Sequence, residues 1–262
     1  MTVKIFQIDA FTSNLFQGNP AAICPLEEWL PGSVLQSIAA ENNLAETGFY
    51  VRTEDHFSIR WFTPETEVDL CGHATLAAAY VVFTYEKYRG ERIRFDSRSG
   101  PLAVTRKGDF LVLDFPADTI SRVSLPDEFL RGLGAMPVET YRGKSDYMLV
   151  YSSQNAIIGI IPDFLLLSKI ECRGVIVTAP GKTADFVSRF FAPRAGIPED
   201  PVTGSAHTTL APYWSGRLGK NELTAQQLSK RGGSLQCTIV GDRVWIAGHA
   251  VPYLIGEINI PG

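Results

Sequence analysis

Phe57-Ser58-Ile59-Arg60-Trp61-Phe62-Thr63-Pro64 returns 129 residues later as Phe186-Val187-Ser188-Arg189-Phe190-Phe191-Ala192-Pro193. Phe, Arg, Phe and Pro coincide at four of the eight positions, and Trp61 against Phe190 keeps an aromatic. A repeat of so long a period bears on the whole fold, because each copy marks the same place in a repeated unit. The segments that follow also agree in kind. Acidic residues, Cys71-Gly72-His73-Ala74 and an alanine-rich apolar run follow the first copy. Glu199-Asp200-Pro201, Thr203-Gly204-Ser205-Ala206 and another small-residue run follow the second. The offset is close to half of the 262 residues. The chain is therefore read as two related lobes joined near Phe115-Pro116-Ala117-Asp118. They span residues 1–117 and 118–262, with the last strand able to pack back on the first lobe. A site formed between such lobes draws matched residues from both copies.

Outward from the repeat, alternating β-branched and aromatic residues predict strands at 3–10, 47–52, 57–62, 92–96, 101–106 and 110–115. In the second half they fall at 147–151, 156–160, 173–178, 186–191, 235–240, 243–247 and 253–260. Gly108-Asp109 and Gly241-Asp242 stand between strand-like runs, as hairpin turns do. Helices are expected at 33–43, closed by Asn42-Asn43, and at 73–87 and 205–215. Many strands with one or two helices per half make an α+β fold. Strands do not alternate with long helices, which argues against Rossmann and TIM architectures.

Composition bounds the function. With 24 Lys+Arg against 28 Asp+Glu the net charge is −4, and no basic run offers a nucleic-acid surface. Apolar stretches such as 76–83 are far shorter than the ~20 residues of a membrane helix. The first ten residues read as a strand rather than a signal peptide. A soluble, cytoplasmic protein without nucleic-acid or membrane partners is expected. Cys24, Cys71, Cys172 and Cys237 are scattered singly, with neither zinc-site spacing nor a disulfide framework. No metal is expected.

Two glycine-led segments carry the first candidate chemistry. Gly72 and Gly204 each open a helix whose first backbone N–H groups lack intrahelical acceptors and can hold an anion such as a carboxylate. The alternative for either alone is that glycine only permits close packing; repetition in both lobes favours the anion site. Glu46, after Asn43-Leu44-Ala45 and before an apolar strand, is either a solvated turn residue or a desolvated carboxylate. Desolvation would raise its pKa toward the range of a general base. His73 is a proton-transfer group or a packing histidine at a helix start. Asp200 lies in the loop approaching the second helix, five residues before Ser205.

Six segments together resemble the PhzF (phenazine-biosynthesis-like) isomerase family. They are Asp9-Ala10-Phe11-Thr12, Phe16-Gln17-Gly18-Asn19-Pro20, Asn43-Leu44-Ala45-Glu46-Thr47, Phe62-Thr63-Pro64, Leu70-Cys71-Gly72-His73-Ala74-Thr75 and Glu199-Asp200-Pro201-Val202-Thr203-Gly204-Ser205-Ala206. The resemblance runs from residue 4 to Gly256-Glu257. It implies the diaminopimelate epimerase-like fold, with two similar α+β lobes, each a central helix wrapped by mostly antiparallel strands, and the site between them. It implies Glu46 as the proton-transferring group, with His73, Asp200 and Ser205 as supporting polar residues. Gly72 and Gly204 match its carboxylate-binding backbone donors, and Asn19 matches a substrate-contacting position. It also implies a homodimer and cofactor-free proton relocation of the kind performed on 2,3-dihydro-3-hydroxyanthranilate.

One departure from the wider superfamily separates reaction types. Two-base epimerases of this fold place a cysteine before each glycine, whereas here Cys71-Gly72 is matched by Thr203-Gly204. A threonine cannot act as a thiol acid, so epimerisation by paired thiols is disfavoured and Cys71 is read as structural. The expected activity is an isomerase acting on a small carboxylate. A racemase with a carboxylate in place of the missing thiol, or a catalytically retired binding protein, are the rivals.

Overall fold

A computed structural model describes residues 1–260. The chain divides into two units, Met1–Asp114 with the stretch from Ala247 on, and Phe115–Ile246. The first unit begins with β1 (Thr2–Ala10), β2 (Asn19–Leu26), α1 (Gly32–Asn42), β3 (Glu46–Arg52) and β4 (Phe57–Phe62). It continues through β5 (Glu67–Val68), α2 (Gly72–Tyr85), β6 (Arg92–Ser97), β7 (Gly100–Lys107) and β8 (Phe110–Pro116). The second holds β9 (Ser121–Arg122), α3 (Asp127–Leu133), β10 (Glu139–Arg142), β11 (Asp146–Val150), α4 (Gln154–Ile158) and α5 (Phe164–Leu167). After these come β12 (Gly174–Pro180), β13 (Phe186–Phe191), α6 (His207–Leu218), β14 (Glu222–Gln227), β15 (Gly233–Val240) and β16 (Arg243–Gly248). The closing strand, β17 (Ala250–Asn259), runs antiparallel to β1, from Thr2↔Asn259 to Ala10↔Ala250.

The two units repeat one ladder. In the first, β1–β2 is antiparallel, β2–β3 parallel, β3–β4 antiparallel, β4–β6 parallel and β6–β7 antiparallel. In the second, β10–β11, β11–β12, β12–β13, β13–β14 and β14–β15 follow the same sequence of senses. The quoted repeat occupies β4 and β13, which start at the same offset. Register extends the match: Thr47 faces Phe62 as Val175 faces Phe191. Glu46 in the first unit therefore corresponds to Gly174 in the second.

Each unit wraps its sheet around a helix. In α2 every residue from His73 to Ala79 is buried, as are Val81, Val82 and Phe83, so the helix is apolar on all sides and belongs in an interior. In α6 the buried residues are His207, Thr209, Leu210, Ala211 and Trp214. Trp214 stacks on Phe186 at 5.8 Å and donates its indole N–H to Thr178 Oγ1 at 2.9 Å. Pro212 lies inside this helix and has no N–H to give to the carbonyl four residues back. That carbonyl, on Thr208, instead accepts the backbone N–H of Asp118 at 3.0 Å. A smaller helix, α1, packs Leu35, Ile38 and Ala39 against Val3, Ala22, Cys24 and Phe49. It ends at Asn43, whose left-handed backbone returns its N–H to the Ala39 carbonyl.

The second unit carries four α-helices where one or two are expected, and α3, α5 and β10 are unforeseen. Three other departures from the sequence-based expectations have local reasons. Residues 156–160, expected as a strand, lie in and after α4, because Ser153 caps that helix by accepting the Ala156 N–H. The strand β2 escapes notice because Pro20 and Pro25 read as strand breakers, yet it pairs on both sides. β14 is hidden by its polar sequence, Glu-Leu-Thr-Ala-Gln-Gln, of which only Leu223, Ala225 and Gln227 are buried. The turns at Gly108 and Gly241 form as expected, with φ of +60° and +61°. No helix among the described residues is long and apolar enough to cross a membrane.

Candidate active site

In the first unit, strand ends and a helix start bring four polar side chains together. Asn19 opens β2, Glu46 opens β3 beside Ala21, and His73 is the second residue of α2. Asn19 is held there by Gly18, whose φ is +69° and whose missing Cβ would stand 2.3 Å from the Ala10 carbonyl oxygen. Cys71, the extended residue before α2, accepts the Thr75 hydroxyl on its carbonyl oxygen. All four residues are buried: Asn19 0%, His73 6%, Cys71 6% and Glu46 9% exposed.

The imidazole is the hub of this cluster. Nε2 lies 3.3 Å from a Glu46 carboxylate oxygen, while Nδ1 is 3.2 Å from Asn19 Nδ2 and 3.5 Å from Cys71 Sγ. An amide NH₂ only donates, so Nδ1 is the bare acceptor and Nε2 carries the proton that faces Glu46. Burial pushes the His73 pKa down to about 3. The ring is therefore neutral near pH 7 and stands 3.3 Å from the carboxylate without a full positive charge.

Glu46, Cys71 and His73 can each offer one ligand atom to an ion, all within 4.8 Å of one another. The two short contacts use opposite ring nitrogens, however. The ring thus stands between Glu46 on one side and Asn19 and Cys71 on the other.

The second unit builds a different network at its corresponding helix. A single turn, Gly204–Ala206, leads into α6, and Thr203 precedes it as Cys71 precedes Gly72. Thr203 donates its hydroxyl to the Asp200 carboxylate and its N–H to Gln227 Oε1 at 2.9 Å. Gln227, 1% exposed, gives its amide N–H groups to the Asp200 carbonyl at 2.7 Å and Thr203 Oγ1 at 3.2 Å. These bonds fix the loop that carries Asp200. His207 is buried and locks the helix start, with Nδ1 2.8 Å from the Thr203 carbonyl. Burial lowers its pKa to about 4, and it too is neutral near pH 7. Ser205, half-buried, accepts from Arg173 Nη1 at 2.9 Å.

The structure thus joins Asn19, Glu46, Gly72 and His73 in the first unit, and Asp200, Gly204 and Ser205 at one helix start in the second. Sequence reading missed Gln227 and Arg173. Gln227 sits in the polar strand that was not recognised, and Arg173 in a Cys-Arg-Gly stretch without a motif. Projecting the repeat from Glu46 onto Gly174 points one residue away from that arginine.

Paired α+β units with one shared ladder, each setting polar groups at a glycine-led helix start, define the diaminopimelate epimerase-like fold. A hydroxyproline epimerase from Agrobacterium vitis superposes with a TM-score of 0.63 over 98% of this chain and 92% of its own, at 8% identity. Residues 8–256 match the PhzC-PhzF family, described as phenazine biosynthesis-like protein, and the chain belongs to that family. A Pseudomonas aeruginosa protein named as an isomerase is 51% identical over 260 residues, 99% of this chain and all of its own length. A PhzF-family crystal structure from Enterococcus faecalis has a TM-score of 0.97 at 46% identity, covering 99% of this chain and 100% of its own.

Proposed function

We propose that the protein is a cofactor-independent isomerase. It relocates a proton on a small carboxylate, cyclic and amino carboxylates included, similar to trans-2,3-dihydro-3-hydroxyanthranilate isomerase. The observation that carries this reading is the buried Glu46 carboxylate against a neutral His73 Nε2–H. A cation in that place would hold the carboxylate ionised and weaken it as a base. A neutral imidazole beside the carboxylate adds no such charge. Glu46 takes a C–H proton from the substrate, and the electron pair left on that carbon shifts through the adjacent double bond. Glu46 then returns the proton to a different carbon, so hydrogen is conserved and no redox partner is consumed. Asp200 and Ser205 assist with hydrogen bonds to the substrate. The helix-start N–H groups at Gly72 and Gly204 hold its carboxylate.

The identity with isomerase-named relatives along the whole chain supports the reaction class. Homodimer assembly is part of the same proposal and is tested by sedimentation. The activity is tested by incubating a panel of cyclic and amino carboxylic acids with the protein in D₂O. Deuterium at a new carbon with double-bond migration is the expected result, abolished in Glu46→Gln. Inversion at a stereocentre would replace the isomerase by a racemase. Exchange that persists undiminished in E46Q would remove Glu46 from the mechanism.

A further inference from the structure

In the first unit the strand-opening residue Glu46 reaches His73, the residue after the helix-opening glycine. The second unit repeats this relation with other chemistry. Gly174, the counterpart of Glu46, cannot carry a side chain, since a Cβ there would lie 2.2 Å from the Phe190 ring. The residue just before it supplies the charge instead. Arg173 places Nη1 2.9 Å from Oγ of Ser205, the residue after Gly204.

Arg173 is itself fixed. Asp146, 3% exposed and paired in register with Gly174, accepts Arg173 Nε at 2.9 Å on one oxygen and Nη2 on the other. The guanidinium carbon stands 5.6 Å from the Phe190 ring centroid, a cation–π distance. The carboxylates of Asp200 and Asp118 add to the negative field around it. A bidentate Arg–carboxylate fork sets direction as well as charge, so the third contact, to Ser205, is aimed. A guanidinium has donors only. The Ser205 oxygen must therefore accept from it, and the hydroxyl proton is turned away as a donor to something else.

We propose that Arg173, held by Asp146, is a positioning residue that fixes the Ser205 hydroxyl as a hydrogen-bond donor toward the substrate. The substrate part of this inference rests on the role of Ser205 given under the proposed function.

The test separates the two. Ser205→Cys places a thiol beside the guanidinium. Its ionisation is read from the rate of iodoacetamide alkylation across a pH series, quantified on the peptide that contains residue 205. The thiol in S205C is expected to titrate about one pH unit below that in S205C/R173Q, since a neighbouring cation favours the thiolate. Equal titration in the two would overturn the contact. Because R173Q leaves Asp146 buried without its partner, S205C/D146N/R173Q removes both charges and provides the same comparison. For the substrate part, S205A, R173Q and the double variant are compared in deuterium exchange. Losses of similar size, no larger in the double variant, are expected when one residue acts through the other. Multiplying losses, or a KM effect without a kcat effect, would overturn the positioning role. If no carboxylate exchanges, the isomerase reading fails while the thiol titration still decides the contact.

Discussion

The first unit clasps Arg60 on Glu67 at 2.7 and 2.8 Å; the second clasps Arg189 on Glu199 at 2.7 and 3.1 Å. The two arginines stand at the offset of the repeat. Each lies over the phenylalanine that closes its strand, Phe62 at 5.1 Å and Phe191 at 4.9 Å. Each acidic partner lies in the stretch leading to a glycine-led helix. At both helices a side chain, Thr75 or His207, bonds back to the carbonyl of the residue before the glycine. The frame that aims each helix is thus retained in both copies. The side chains facing outward from the frame have diverged, to Glu46, His73 and Cys71 in one copy and Arg173, Ser205 and Thr203 in the other. One unit holds a buried carboxylate with neutral partners; the other holds an anchored cation and hydroxyls. Position is duplicated and chemistry is not.

The largest expected effect breaks or confirms that division of labour. E46Q should lower deuterium exchange by about 10²–10⁴-fold, the contribution of a positioned acid–base group. S205A should cost clearly less, and the reverse order would mean that the reactive groups belong to the second unit. The two clasps offer the next comparison, by urea denaturation. Arg189 also donates to the Ile157 and Ile160 carbonyls, at 3.0 and 2.8 Å, and its side chain is 11% exposed against 25% for Arg60. R189Q should therefore destabilise by about 3–5 kcal/mol, the cost of breaking a buried pair. R60Q should cost about 1–3 kcal/mol. Equal losses would show that the extra carbonyl contacts add nothing.

Acid sensitivity should then be shared between the units. His73 and His207 ionise near 6.5 in the unfolded chain but near 3 and 4 when folded, because burial penalises the imidazolium. As pH falls below about 6.5 the unfolded chain takes up protons that the folded one refuses. The stability held above that pH is lost with a slope of up to about 1.4 kcal/mol per pH unit for each histidine. The window closes near pH 4 for His207 and near pH 3 for His73. Thermal melts of H73N and H207N should each show a shallower acid slope than the parent. Smallest of all should be Cys71→Ala, with exchange reduced less than about tenfold. A loss comparable to that of E46Q would give Cys71 the thiol-acid role that Thr203 cannot match.

The parts of this molecule legible in its sequence are those fixed by neighbours in the chain. Phe57–Phe62 and Phe186–Phe191 announced themselves as matched strands, and Gly108 and Gly241 as turns, because period and φ are local properties. Glu46, His73 and Asn19 were recognisable as candidates, but their convergence depends on β2, whose two prolines concealed it. Arg173 was not legible: its partners Asp146 and Ser205 lie 27 and 32 residues away, and no short motif joins them. Only the ladder register, which aligns Gly174 with Glu46, shows why an arginine beside that glycine reaches the helix start.

Gly18 has a bearing on how such a protein can change. Every single step away from glycine adds a Cβ, and here that atom would meet the Ala10 carbonyl oxygen at 2.3 Å and Thr12 Cγ2 at 2.6 Å. Gly108 and Gly241 share its left-handed backbone, but nothing stands within 4 Å of a Cβ there. A lineage can therefore drift at those two hairpins for the modest strain of a positive φ, whereas residue 18 is closed to it. In a saturation library, tolerance at 108 and 241 beside near-silence at 18 would show selection guarding the orientation of the Asn19 amide through a residue that has no side chain to offer.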